Sequence, residues 1–148
     1  MQERFETWSE EGHRVLGVAV RDVTGDPVID KDDEQQMTFI GFLLLEDPPK
    51  QGALAAITEL RQLGVQLKII TGDNRLVAAR MGRQMGVERP TVLTGEELRH
   101  ASETALLQRV GEVDIFAETE PNQKERILAA LRKAGNVVGY LGDGINDA

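Results

Sequence analysis

Three short stretches of this 148-residue sequence carry residue types that could handle a phosphate and a metal ion. The first is TGDN (71–74), which follows the apolar run QLKII. A hydroxyl, a glycine and a helix start together form a phosphate cradle, because unpaired N–H groups and the helix dipole face an anion there. A plain helix cap by Thr71 or Asn74 accounts for the same residues equally well. The second is GDGIND (142–147), which follows VVGYL. Asp143 and Asp147, four residues apart around a turn, suit a hard divalent cation, with Mg²⁺ favoured where phosphate is a co-ligand. A lone GDG is more often an ordinary turn. The third is Lys124, close behind ETEPNQ at the start of a helical stretch. A cation is poorly placed at a helix start. A phosphoryl group nearby would hold it there; the default is a solvated surface lysine.

In open α/β sheets, ligands bind beyond the carboxyl ends of the strands, so these stretches need strands that end just before them. The pattern supplies them. Residues 1–11 read as a helix stopped by Gly12, 14–23 and 37–45 as strands, and 24–36 as a charged loop. The segment EDPPK (46–50) is a stiff joint, since two prolines fit neither a helix interior nor a central strand. We place a domain boundary at Asp47. Beyond it, helices at 51–64, 75–86, 94–100 and 122–135 alternate with strands at 65–70, 91–93, 113–117 and 136–141. The helix at 75–86 shows Val77, Met81 and Met85 at i, i+4 and i+8, and Thr94 with Glu97 has capping-box spacing. Such alternation implies a layered α/β fold with a mainly parallel sheet.

Composition narrows the classes. A hydrophobic content of 41% supports a packed core. A net charge of −8 disfavours a nucleic-acid or anionic-membrane surface. There is no cysteine, which excludes disulfides and thiolate zinc sites. His13 and His100 read as surface residues. The apolar runs FIGFLLL (39–45) and VLGVAV (15–20) are too short to cross a bilayer, which takes about 20 residues, and MQERFETWSEEG has no apolar core of a signal peptide. The expectation is a soluble chain from a reducing compartment.

Taken in order, DPPK (47–50), TGDN (71–74), FAETEPNQKERI (116–127) and VGYLGDGINDA (138–148) resemble motifs of the P-type cation-transporting ATPases, which use a haloacid-dehalogenase-like phosphotransferase fold. The resemblance runs from about residue 12 to the end. FLLLEDPPK, QKERI and VVGYLGDGIND look most like the magnesium-translocating members. The resemblance implies roles. Thr71 and the Gly72 amide would hold phosphoryl oxygens, with Asp73 beside them in the catalytic and nucleotide-binding surface. Lys124 would offset the charge of a phosphoaspartate, and Asp143 would ligate Mg²⁺. Asn146 and Asp147 would orient that site. Asp47 would belong to the hinge between nucleotide-binding and phosphorylation domains and contribute to ATP binding. Residues 1–46 would then be the end of the nucleotide-binding domain, a helix plus two strands, and 47–148 a partial phosphorylation domain on the cytoplasmic side of a membrane.

One departure matters. The family phosphorylates the first Asp of a DKTGT motif, and no such motif occurs here. DKDD (30–33) lacks the Thr-Gly-Thr and sits in a charged loop, so we reject it. The expected chain is thus a segment of a larger pump, inactive alone, with the rest of its polypeptide as partner. The alternatives are a free-standing phosphatase of the same fold and a non-catalytic nucleotide-binding module. By resemblance the nucleophile strand lies between VQLKII and NVVGYL. Without it, those two strands should pair directly, or a strand from 14–45 should fill the gap, in its own chain or exchanged with a second copy. Self-association is the expectation.

Overall fold

The structure, a computed structural model, describes residues 2–23, 30–31, 34–46, 48 and 50–142. Its centre is a three-stranded parallel sheet of β3 (Ile69–Ile70), β4 (Val92–Thr94) and β5 (Ile115–Ala117), in the order β3-β5-β4. The middle strand, β5, is buried at every position, and its side chains divide by the twofold period of a strand. Phe116 points into a cluster with Leu93, Leu98, Leu106, Val110, Val113, Ile127, Ala130 and Leu131. Ile115 and Ala117 point the other way, against Ala78. Helices therefore cover both faces, the layered α/β arrangement that the alternating pattern implies.

Each covering helix carries its reason in the sequence. In α6 (Pro121–Lys133), Gln123, Ile127, Ala130 and Leu131 recur at i, i+4, i+7 and i+8 and form the buried stripe. Pro121 stands at the first helical position, where its missing N–H costs nothing. Glu120 and Gln123 close a capping box ahead of it. On the opposite face, α3 (Arg75–Gln84) lies so close to β5 that a Cβ on Gly82 would fall 2.6 Å from Ile115 Cδ1. Two shorter helices, α4 (Gly95–His100) and α5 (Glu103–Arg109), complete the cover. The expected Thr94–Glu97 capping box opens α4, and the Thr94 backbone N–H holds the Glu97 carboxyl below its ordinary pKa.

Ahead of this layer stand α1 (Gln2–Glu10) and an antiparallel pair, β1 (Arg14–Val20) and β2 (Thr38–Leu45). Trp8 meets Phe42 edge-on, with ring centroids 5.3 Å apart. This unit is the expected helix plus two strands. α1 leans on α3, where Ser9 is fully buried. Between the two units, α2 (Ala53–Gln62) buries Ile57 while Leu54, Leu60 and Leu63 remain exposed.

Three expectations need correction. The strand expected over 65–70 is ordered as a ladder only at Ile69–Ile70, because β5 alone pairs with it among the described residues. The stretch 136–141 forms no strand: Val137 and Leu141 are fully exposed, and only Val138 packs against the core. A strand needs a neighbour to satisfy its backbone groups, and no described strand lies beside this one. Neither in-chain closure of the gap occurs, since β3 and 136–141 do not pair and β1 and β2 pair with each other. Helix α5, absent from the expected elements, follows a Ser102 side-chain cap on the Ala105 amide.

Candidate functional site

Because β3, β5 and β4 run parallel, their carboxyl ends share one edge, and three loops leave it together. Thr71–Asn74 follows β3, Glu118–Glu120 follows β5, and the α4 cap follows β4. The first two are bonded to each other. The Thr119 amide and hydroxyl both donate to the Thr71 carbonyl, at 3.1 and 2.9 Å. The Glu118 amide donates to the Asp73 carbonyl at 2.9 Å. The Arg75 amide donates to Glu118 Oε1 at 3.0 Å. Glu118 has a left-handed backbone, φ 55°, a conformation that persists in a non-glycine residue only when its neighbours over-determine it. Those bonds do so. Thus the loop carrying Thr71 and Gly72 and the helix α6 carrying Lys124 are one bonded assembly.

The start of α3 is filled from within the protein. Asn74 Oδ1 accepts from the Leu76 and Val77 amides at 3.0 Å each, and Glu118 takes the Arg75 amide. The cap reading of Asn74 holds, and the first-turn amides of α3 are not open to an anion. Thr71 Oγ1 is also engaged: it donates to Asp73 Oδ2 at 3.0 Å and accepts from the Asp73 amide at 3.1 Å. The other carboxylate oxygen, Asp73 Oδ1, accepts from Arg14 Nε at 2.9 Å and from the second guanidinium nitrogen. Asp73 is the inner partner of this pair, its side chain 13% exposed against 60% for Arg14. Its carboxylate therefore fastens β1 to the 71–74 loop.

What remains outward is Gly72. Among the described residues its amide makes no hydrogen bond. A Cβ there would meet only the Thr119 carbonyl at 3.8 Å, and its φ is not left-handed. Neither space nor backbone conformation inside the chain demands a glycine. A ligand approaching the amide closely would. Gly72→Ala should accordingly leave stability within about 0.5 kcal/mol while weakening inorganic phosphate binding several-fold. Thermal unfolding and a phosphate titration check the two halves.

Lys124 is half-buried, the fourth residue of α6, and engaged with other groups. Asp47, Asp143, Asn146 and Asp147 lie outside the described residues. Among the described residues, no three histidine or acidic side chains converge as a metal site. Sequence reasoning missed Arg14, Glu118 and Thr119. Arg14 had a faint signal, a charge opening an apolar strand beside a turn. Thr119 had none.

The haloacid dehalogenase-like hydrolase family model matches residues 3–148. A magnesium-transporting ATPase, P-type 1, of Salmonella typhimurium is 42% identical over 148 residues, 98% of this chain. Its namesake in Escherichia coli is 35% identical over 97% of the chain, and calcium-transporting ATPase 1 of Bacillus cereus 33% over 95%. The chain spans about 16% of the length of each of these relatives. No helix among the described residues is long and apolar enough to cross a membrane. A match over nearly the whole chain, on a parallel sheet covered by helices, means that the chain belongs to the haloacid dehalogenase-like hydrolase family, on the side of its P-type ATPase relatives.

Proposed function

We propose that this chain is part of an ATP-driven cation pump that cycles through a phosphoaspartate, and that it supplies phosphate-binding groups to that reaction. The observation that carries the reading is the bonded assembly at the sheet edge: an outward Gly72 amide on one loop, and on the helix bound to it a lysine at a position the dipole disfavours. Phosphoryl transfer needs positioning and charge neutralisation more than covalent help beyond the nucleophile. Gly72 donates to a phosphoryl oxygen, Lys124 offsets its charge, and Asp73 with Arg14 holds residues 1–46 against the phosphate loop.

ATP and Mg²⁺ are the implied cofactors. When bound, Mg²⁺ supplies charge neutralisation at the phosphoryl group. Of the described carboxylates at this edge, Asp73 is committed to Arg14 and Thr71 and Glu118 to the Arg75 amide, so the metal assignment rests on Asp143, with Asn146 and Asp147 orienting it. Residues 1–46 and 47–148 serve as the end of a nucleotide-binding domain and a part of a phosphorylation domain, joined at Asp47 on the cytoplasmic side of the membrane. The strand bearing the nucleophile, elsewhere in the polypeptide, takes the open side of β3. Magnesium is the favoured cargo because the two relatives above with higher identity are magnesium transporters.

Radiolabelled ATP tests this. The intact protein should form an acid-stable, hydroxylamine-sensitive phosphoenzyme, and the 148-residue chain alone should form none, since it has no nucleophile to receive the phosphoryl group. Label on the isolated chain, or none on the intact protein, overturns the reading.

A further inference from the structure

Thr119 spends two donors on one acceptor. Its amide and its hydroxyl both reach the Thr71 carbonyl, at 3.1 and 2.9 Å, and the residue is almost wholly buried. The Thr71 carbonyl and the Gly72 amide belong to the same peptide unit. That unit is planar, and with no cis bond among the described residues its C=O and N–H point in opposite directions. Fixing the carbonyl towards Thr119 therefore fixes the Gly72 N–H away from it, at a residue exposed to solvent. The next peptide is braced by the Asp73 amide, which donates to Thr71 Oγ1 at 3.1 Å, and the one after it by the Glu118 amide, which donates to the Asp73 carbonyl at 2.9 Å. The Thr71 amide, bonded to the Phe116 carbonyl at 2.9 Å, anchors the near side.

The geometry points to Thr119 as a positioning residue that aims the Gly72 amide at a phosphoryl oxygen. This rests on the proposed phosphate role of Gly72 and adds the group that sets its direction. The hydroxyl is the working part, because the backbone bond alone leaves the carbonyl free to swing about one contact. A peptide held by two donors is pre-organised, so no orientational freedom is lost when the anion arrives. Glu118 braces the same loop through its carboxylate, but a charge beside a phosphate site alters affinity by itself; Thr119 is neutral and reads orientation alone.

The test uses isotope-labelled 148-residue chain as wild type, Thr119→Val and Thr119→Ser. Residual dipolar couplings report the direction of the Gly72 N–H, and titration with inorganic phosphate reports affinity at the same resonance. Valine, isosteric but without the hydroxyl, should reorient the N–H and weaken phosphate binding about fivefold, the equivalent of one neutral hydrogen bond. Serine should restore both. Should valine unfold the chain, serine and Thr119→Ala take its place in the same comparison. An unchanged Gly72 coupling in the hydroxyl-free variants overturns the proposal, as does a serine variant that loses as much as valine. If phosphate shifts Gly72 in no variant, the phosphate reading fails, while the direction of the N–H still decides for or against Thr119.

Discussion

Replacing Lys124 with alanine in the intact protein lowers phosphoenzyme formation about 100-fold or more, while the fold survives. The first half follows from what a preformed positive charge does beside a transferring phosphoryl group. Removing one such preorganised donor costs about 3 kcal/mol of transition-state stabilisation, and the loss is not made good by water in a partly closed site. The second half follows from position. Lys124 is the fourth residue of α6, half-buried, and the buried stripe of that helix is formed by its neighbours Gln123, Ile127, Ala130 and Leu131. Alanine is the best helix former, and its substitution removes a cation from the end of the helix where cations are disfavoured. Local helix energetics thus favour the variant and offset the loss of the lysine head's contacts. Thr71, already bonded to Asp73, is by the same reasoning the weaker determinant. Labelling with radioactive ATP at matched protein levels gives the answer. A phosphoenzyme level equal to the wild type removes Lys124 from the site, and a loss that merely tracks a fall in Tm reduces it to a structural residue.

The parts of this molecule that were readable in advance are those governed by local rules. Asn74 and Thr94 cap helices because their side chains fit that geometry. The stripe of Val77, Met81 and Met85 on α3 is a periodicity, and Val77 reached the core. The stretch 136–141 shows where such rules stop. NVVGYL has strand composition, but a strand is a relation between two segments, and composition names only one of them. The bonded loops show the same limit at the candidate site. Thr119 acts on Thr71 across 48 positions, and Arg14 on Asp73 across 59. Nothing in ETEP or HRVL announces a partner that distant. The motif residues were visible because their types are chemically unusual; the residues that orient them are ordinary types in special places.

Gly95→Ala should be among the most destabilising single-methyl changes in the chain, at about 3 kcal/mol. Gly95 is buried at the first position of α4, where three segments converge. A Cβ there would lie 2.2 Å from the Glu118 carbonyl oxygen and 2.7 Å from Gln123 Oε1, and Gln123 Nε2 already donates to the Gly95 carbonyl at 2.8 Å. The nearest obstacle is backbone, so rotating a side chain cannot relieve it. Alanine does gain helix propensity over glycine, by about 1 kcal/mol in a helix interior and less at a first position. The clash outweighs that gain. Relief requires Glu118 to move by an ångström or so, and Glu118 is held in a left-handed conformation by its bonds to Asp73 and Arg75. The strain therefore passes to the loop that carries Gly72. The expected result is a fall in Tm of about 10 °C together with a shifted Gly72 amide resonance in the folded remainder. Gly111→Ala, with nothing within 4 Å of its added Cβ, is the control and should leave both nearly unchanged. Equal melting of the two variants would mean that the sheet edge yields freely, and that Glu118 and Thr119 do not hold the 71–74 loop in a fixed position.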